Sequence, residues 1–216
     1  MSGMKVVILG ANAAARIAAY TASYDRAIEV IGFTDPDAAR HGQTVYGKPV
    51  LGGDDRLQGL RDGGVEGAII AAGDPGLRAR LRARVAAAGM RLVTVVHPSA
   101  VVSPGAVLGE GTVVLAGAVL SDNPVVGANC WVGLAAVITH DTTIGDDSLI
   151  GGRSAVGAEV RVGERTVIGW GTIIGPRRRV GADSAVGFGS NVIHDIPDGV
   201  VAVGNPAKVI KSRARA

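Results

Sequence analysis

The segment Ile138-Thr139-His140-Asp141 sets an imidazole beside a carboxylate. Imidazole exchanges protons near neutral pH, and an adjacent carboxylate orients it and raises its basicity. His140 and Asp141 are therefore candidates for a general base and its orienting acid. Three further histidines are present, His41, His97 and His194. His97, beside Pro98, reads as structural, and His41 falls in a polar loop. A three-histidine zinc centre needs clustered imidazoles, whereas His97, His140 and His194 are 43 and 54 positions apart, so no metal is expected. The single cysteine, Cys130, excludes an intramolecular disulfide and a cysteine-based zinc site.

The element that must position His140 is a repeat. Every sixth residue from Val96 to Val192 is Val, Leu or Ile, which makes 17 positions without a register break, and in 11 of them the next residue is Gly. The residue four after each aliphatic is mostly Ala, Ser or Thr. This is the period of a hexapeptide β-helix. Each block supplies one short strand and one corner. Three blocks close a triangular coil, so residues 18 apart stack about 4.8 Å from one another. The aliphatic points inward, the small residue fits the same narrow interior, and the glycine is expected to permit the left-handed or otherwise costly backbone that a tight corner needs. Cys130 takes an inward small-residue position and is no nucleophile. Pro124 and Arg178 also fall on that position and break the pattern, Arg178 within Pro176-Arg177-Arg178-Arg179 as a rim or bulge.

His140 follows Ile138 by two, which puts it at an outward corner. Ala158 lies one coil on, where backbone N–H groups near Gly157 and Ala158 would face a developing oxyanion. On the residues alone, a polar corner residue without chemistry is the alternative. His194 lies three coils on, roughly 14 Å away, too far to share the same step within one chain. A second edge stacks Gly152, Trp170 and Phe188, which suggests a surface for a flat or lipophilic ligand, or packing under the C-terminal tail. Arg177 to Arg179, Lys208 and Lys211 are either phosphate partners or solvated charge.

Residues 1–95 read differently. Lys5–Gly10, Glu29–Asp35, Val65–Gly73 and Arg91–Val96 read as strands, Asn12–Tyr24 and Pro75–Gly89 as helices, the latter with Pro at its start and Gly at its stop. Alternating strand and helix imply a small parallel, Rossmann-like α/β sheet, which binds ligands beyond the carboxyl ends of its strands. Those ends are Gly10–Ala14, Asp35–Asp37 and Gly73–Asp74. The dinucleotide fingerprint is absent, because Gly10 is followed by Ala-Asn-Ala-Ala-Ala. A mononucleotide pocket with Asp35 accepting from a ribose or base stands against a plain strand–helix turn. The expected organisation is an α/β nucleotide-sugar-binding domain over 1–95, a β-helix over 96–203 and a tail over 204–216.

Composition sets the outer bounds. Apolar residues are 47% of 216, aromatics only 3%, with 33 glycines, so the core is built from small aliphatics. A net charge of +3 admits phosphate-bearing ligands without arguing for nucleic acid. No apolar run is long enough for a membrane span or a signal peptide, and a soluble protein of a reducing compartment is expected.

The stretches VILGAN, GFTDPD, VVHPSAVVSPGAVLGEGT, VITHDTTIGDDS and DIPDGVVAVGNPAKVIK, with the unbroken hexads, resemble the hexapeptide-repeat nucleotide-sugar acetyltransferases of the sialic acid O-acetyltransferase and bacillosamine/perosamine N-acetyltransferase group. The resemblance implies a left-handed coil and a cytoplasmic homotrimer of polysaccharide biosynthesis, with active sites between subunits. It implies acetyl-CoA as donor and a nucleotide-linked 4-amino sugar, of the GDP-perosamine or UDP type, as acceptor. It assigns His140 as general base, Asp141 as its acid, and backbone at Gly157 and Ala158 as the oxyanion site. Asn12, Ala13, Ala14, Asp35, Pro36 and Gly73 match nucleotide-binding positions, and Leu149, Ala158, Trp170 and Phe188 coenzyme positions. Three positions depart: Asn12-Ala13-Ala14 replaces Gly-Gly-His, Leu149 replaces a frequent second histidine, and Gly133 replaces a frequent Asn. Sugar O-acetylation and a non-catalytic trimeric scaffold are the competing functions.

Overall fold

The computed structural model describes residues 3–213. Two compact units divide between Val95 and Val96.

The first unit is a four-stranded parallel sheet with order β2-β1-β5-β6, formed by β1 (Met4–Leu9), β2 (Ile28–Thr34), β5 (Gly67–Ile70) and β6 (Arg91–Leu92). Between them run α1 (Ala13–Ala22), a hairpin of β3 (Thr44–Val45) and β4 (Lys48–Pro49), α2 (Leu57–Asp62) and α3 (Pro75–Ala87). The continuous apolar run Val6–Leu9 is fully buried, as a central parallel strand covered on both faces requires. From β1 the chain crosses to β2 on one side and later to β5 on the other. The carboxyl end of β1 is therefore the switch point of the sheet.

The strand expected over Arg91–Val96 divides. Arg91–Leu92 completes this sheet, and Val95–Val96 opens the first rung of the next unit. The hairpin and α2 carry no sequence period, being two and six residues long per element. One buried cation also stands outside the pattern. Arg78 on α3 has no exposed surface, and its guanidinium donates to Ile70 O (3.0 Å) and Ala72 O (3.2 Å) where β5 ends.

The second unit is a parallel β-helix of the left-handed type. Seventeen two-residue strands, from Val95–Val96 to Asn191–Val192, stack into three parallel sheets. Partners are 18 apart, as in Val137↔Ala155 and Ile138↔Val156. From Val114 to Val192 each sixth-position aliphatic is buried, while Val96 at the first rung is 39% exposed.

The corner chemistry differs from the sequence expectation. The glycine after the aliphatic is not left-handed. It leaves room for the next coil: a Cβ on Gly169 would stand 2.7 Å from Gly187 C, Phe188 N and Val186 O, and one on Gly157 2.7 Å from Ile174 O. The left-handed residue is the third after the aliphatic, and most are not glycine: Asn123, Asn129, Ala135, Asp141, Asp147, Arg153, Glu159, Arg165, Arg177 and Asp183 have φ between 52° and 58°. A side chain in this region costs about 1–2 kcal/mol. An inter-coil hydrogen bond offsets it, since from Asn129 to Asp183 each such N–H reaches the preceding coil, as Asp141 N to Asp122 O and Glu159 N to His140 O, both 3.1 Å.

The small inward residues do more than fit. Thr142 Oγ1 donates to Gly157 O (2.8 Å), Ser148 Oγ to Gly163 O (2.9 Å) and Thr166 Oγ1 to Gly181 O (2.8 Å). Cys130 follows suit, its Sγ 3.2 Å from Gly145 O. The hydroxyl ladder satisfies carbonyls that the corners turn inward. Arg178 breaks it where the last coil is clipped: Val180 bridges Ile196, 16 positions on instead of 18. The chain closes with Val200–Gly204 and Ala207–Ser212, so the expected tail from 204 pairs back as an antiparallel edge strand up to Ser212. Residues 214–216 of that tail lie outside the described residues. No helix among the described residues is long and apolar enough to cross a membrane.

Candidate active site

Asp141 is the left-handed residue of its corner, and this conformation folds its carboxylate onto the preceding side chain. His140 Nδ1 lies 2.9 Å from Asp141 Oδ2, with side chains 53% and 58% exposed. With the Nδ1 proton given to the carboxylate, Nε2 carries the free lone pair. The corner is held from both sides: Thr139 Oγ1 donates to Val156 O (3.0 Å), Thr142 Oγ1 to Gly157 O, and Glu159 N to His140 O.

The oxyanion expectation narrows. Gly157 N–H is committed to the ladder at Ile174 O (2.9 Å), so it is not available to a ligand. Ala158 N–H donates to no acceptor among the described residues and lies one rung from His140. One rung further is Pro176, which has no N–H.

Leu149, Trp170 and Phe188 are not brought to His140 within one chain. His140 sits at the corner between the sheet of Val137–Ile138 and that of Thr143–Ile144, whereas Leu149 belongs to the third sheet. Trp170 and Phe188 occupy the corner after that third sheet, 50% and 81% exposed, with the Trp170 ring lying over Gly152. His97 is buried with Nδ1 2.8 Å from Ser99 Oγ, His41 is exposed with Nε2 2.8 Å from Asp35 O, and His194 is exposed on the His140 edge.

In the first unit, two expected ligand groups are spent on the scaffold. Asp35 is 8% exposed and accepts from Ala11 N (2.9 Å) and Asp37 N (3.0 Å), which locks the loops after β1 and β2 together instead of presenting the carboxylate to a ribose. Asn12 caps α1, accepting from Ala15 N (3.0 Å) and donating to Ala71 O (3.3 Å). Ala13 and Ala14 form the first turn of α1, and Pro36 and Gly73 are exposed loop residues. Around the α1 start lies a cavity of about 440 Å³ lined by Ala11, Asn12, Ala13, Arg16, Arg40 and Tyr46, among others. Arg16, Arg40 and Tyr46 were not legible as site residues. The one available signal is Tyr46-Gly47, a turn that bends the β3–β4 hairpin with Tyr46 left-handed at φ 48°. Arg40 braces the site by donating to Ala11 O (2.9 Å).

No group of three or more His, Cys, Asp or Glu among the described residues is placed to hold a metal ion. No protein-family profile and no curated protein sequence matches the chain. Solved structures do. The Caulobacter crescentus protein PerB, in complex with CoA and GDP-perosamine, is 36% identical with TM-score 0.90, over 96% of this chain and 97% of that one. The acetyltransferase domain of PglB from Neisseria gonorrhoeae, also solved with acetyl coenzyme A, is 30% identical with TM-score 0.89, over 96% and 100%. WeeI from Acinetobacter baumannii shares the fold at 20% identity and TM-score 0.73. With more than a third of residues identical along nearly the whole of both chains, this protein belongs to the hexapeptide-repeat nucleotide-sugar acetyltransferases.

Proposed function

We propose that the protein transfers the acetyl group of acetyl-CoA to the amino group of a nucleotide-linked 4-amino sugar, with His140 as general base. The observation that carries this reading is the exposed His140–Asp141 pair at 2.9 Å in a chain so similar to a protein solved with CoA and GDP-perosamine. Histidine variants of the Caulobacter crescentus perosamine N-acetyltransferase, solved with the same two ligands, are 35% identical to this chain. A GDP-linked acceptor is preferred on this ground, with a UDP-linked sugar second.

The neutral sugar amine attacks the thioester carbonyl while Nε2 of His140 takes its proton. Asp141 holds the Nδ1 proton and stabilises the imidazolium that forms. The tetrahedral oxyanion accepts from Ala158 N–H. Collapse breaks the C–S bond and CoA leaves as thiolate, which the imidazolium reprotonates. No acyl-enzyme forms. The first unit holds the nucleotide at the α1 start, where Arg16 and Arg40 offset its phosphate charge.

Leu149, Trp170 and Phe188 lie away from the His140 corner, so donor contacts from these residues come from a neighbouring copy. A homotrimer with sites between subunits is the assembly this reading calls for. A cytoplasmic place in polysaccharide biosynthesis accords with a nucleotide-sugar acceptor.

The test mixes purified protein with acetyl-CoA and GDP-perosamine, a UDP-4-amino sugar or a hydroxyl-bearing sialic acid acceptor, and follows thiol release. Amine-dependent release that His140→Asn abolishes supports the reading. Release only with the hydroxyl acceptor, or none above the acceptor-free rate, overturns it.

A further inference from the structure

Asn123, Asp141, Glu159 and Arg177 stack along the catalytic corner, 18 positions apart and all left-handed. Asparagine and aspartate tolerate that conformation, whereas a glutamate bears its cost of about 1–2 kcal/mol. At the next corner of the coil, side-chain contacts between rungs offset that cost, Asn129 to Asp147 and Arg165 to Asp183, both at 2.7 Å. Glu159 has no such return. Its side chain is 54% exposed and accepts no hydrogen bond among the described residues. Arg177 stands 3.9 Å from its carboxylate, beyond hydrogen-bond distance.

The preceding rung carries Asp141, also a carboxylate. Like charges on adjacent rungs, about 4.8 Å apart along the axis, destabilise a stack. Asp141 is committed to His140 Nδ1 at 2.9 Å, and while the imidazole is neutral the two carboxylates are balanced only by Arg177, from the far side. A local rule broken beside a base marks a place where a ligand supplies what is missing. Here the missing element is a cation, next to Nε2 of His140. The residue before Glu159 is Ala158, whose N–H faces the developing oxyanion, so the carboxylate stands at the reacting centre. An alkyl amine is protonated near neutral pH and supplies that cation. A hydroxyl acceptor supplies none.

We propose that Glu159 selects an amine over a hydroxyl by holding the acceptor's ammonium beside His140 before transfer. This rests on the reading that the acceptor is a 4-amino sugar. The bound ammonium first loses one proton to solvent, which reaches the half-exposed corner. The neutral amine then attacks, and its second proton passes to Nε2 of His140 and on to the CoA thiolate. The exchange converts ammonium sugar and acetyl-CoA into acetamido sugar, CoA thiol and one solvent proton. During attack the imidazolium replaces the ammonium as the cation between Glu159 and Asp141. The other groups around the 510 Å³ cavity that these two carboxylates line are Arg161, Arg177, Arg178, Arg179 and Asp195. Guanidiniums stay charged throughout, and Asp195 accepts from Arg179 N (3.0 Å). Near neutrality the amine and the imidazole are the groups that change charge; His194, three rungs on, is common to every variant.

GDP-perosamine and the GDP sugar with a hydroxyl at the same carbon are titrated calorimetrically into His140→Asn and into His140→Asn/Glu159→Gln, which removes the imidazole's own titration. Below the acceptor's amine pKa the glutamine weakens the amino sugar about tenfold and leaves the hydroxyl sugar unchanged. Above that pKa the two proteins bind the amino sugar alike. With His140 intact, Glu159→Gln raises KM for the amino sugar and not for acetyl-CoA. Glu159→Asn repeats the residue at Asn123 of the same column, so it is expected to melt no lower than the wild type while losing the same selectivity. Equal or absent binding of the amino sugar by both proteins below its pKa, an equal loss for the hydroxyl sugar, or a loss that persists above the pKa overturns the proposal. Should the charge-dependent contact be present without acetyl transfer, the proposed function falls and the contact stands. Should transfer to the amine proceed with Glu159→Gln indifferent, the contact alone falls.

Discussion

Asp183→Asn tests how one edge of the β-helix is held. Asp183 and Arg165 are left-handed residues on successive rungs of the same corner, φ 55° and 52°. Their side chains form a two-bond fork, Arg165 Nε to Oδ1 at 2.7 Å and a terminal nitrogen to Oδ2 at 2.9 Å. The Asp183 side chain is 9% exposed and that of Arg165 24%. The hydrogen bonds to Asp183, and then to Glu164, hold the guanidinium pKa above its ordinary value, so it stays charged under all working conditions. Alanine at 183 would add backbone strain to the loss, because φ 55° disfavours it. Asparagine tolerates that conformation and isolates the charge. Each charge-assisted bond contributes about 1.5–3 kcal/mol gross. Arg165 remains partly solvated and keeps Glu164 at 2.7 Å, so the net loss is set at about 2 kcal/mol. For a chain of this length that corresponds to roughly 4–8 °C in Tm. Calorimetry on the wild type, Asp183→Asn, Arg165→Gln and the double variant completes a cycle. A coupling energy below about 0.3 kcal/mol would refute the assignment of the fork as a stabilising contact.

Further outcomes follow from other positions. His140→Asn lowers kcat by about 10²–10⁴ and, with the side chain half exposed, changes stability by less than about 0.5 kcal/mol; a stopped assay and a melt read both. Arg78→Met strips the donors from Ile70 O and Ala72 O and destabilises the first unit by about 3 kcal/mol, read by urea titration; a gain in stability would show the buried cation to be dispensable. Asn12→Ala removes the α1 cap at a cost of about 1 kcal/mol and raises KM for the nucleotide sugar but not for acetyl-CoA, measured by varying each substrate in turn. Gly169→Ala drives a Cβ against three backbone atoms of the next coil and costs about 1–3 kcal/mol by calorimetry, whereas Arg153→Gly, at a left-handed corner, is close to neutral.

The repeat made the β-helix legible because its period is a packing constraint: one aliphatic in six must reach a narrow interior, and none from Val114 to Val192 fails to. His140 was legible for the same reason, since counting from Ile138 places it at a corner. What the period does not encode is the role of each non-aliphatic position. Gly157 follows its inward aliphatic Val156 by one and Asp141 follows Ile138 by three, and only the stacked coils reveal that glycine yields space while aspartate takes the left-handed turn. Asp35 and Asn12 read as ligand groups because strand ends carry ligands. Their oxygens are instead taken by nearby backbone donors, a competition that spacing along the chain does not express. Arg16 reaches the cavity from α1 and Arg40 from the short 3-10 turn Ala38–Arg40, with no repeat to mark either.

The constant eighteen-residue stacking makes the prism a graduated scale. Inserting or deleting one whole coil between Ala158 and Arg177 would move the arginines along the axis by one graduation, about 4.8 Å, while every side chain keeps its compass bearing. Inserting six residues would rotate them by one third of a circle onto another wall. Length and direction are thus separately adjustable in this architecture, and a chain of this kind accommodates a longer or shorter ligand by counting turns.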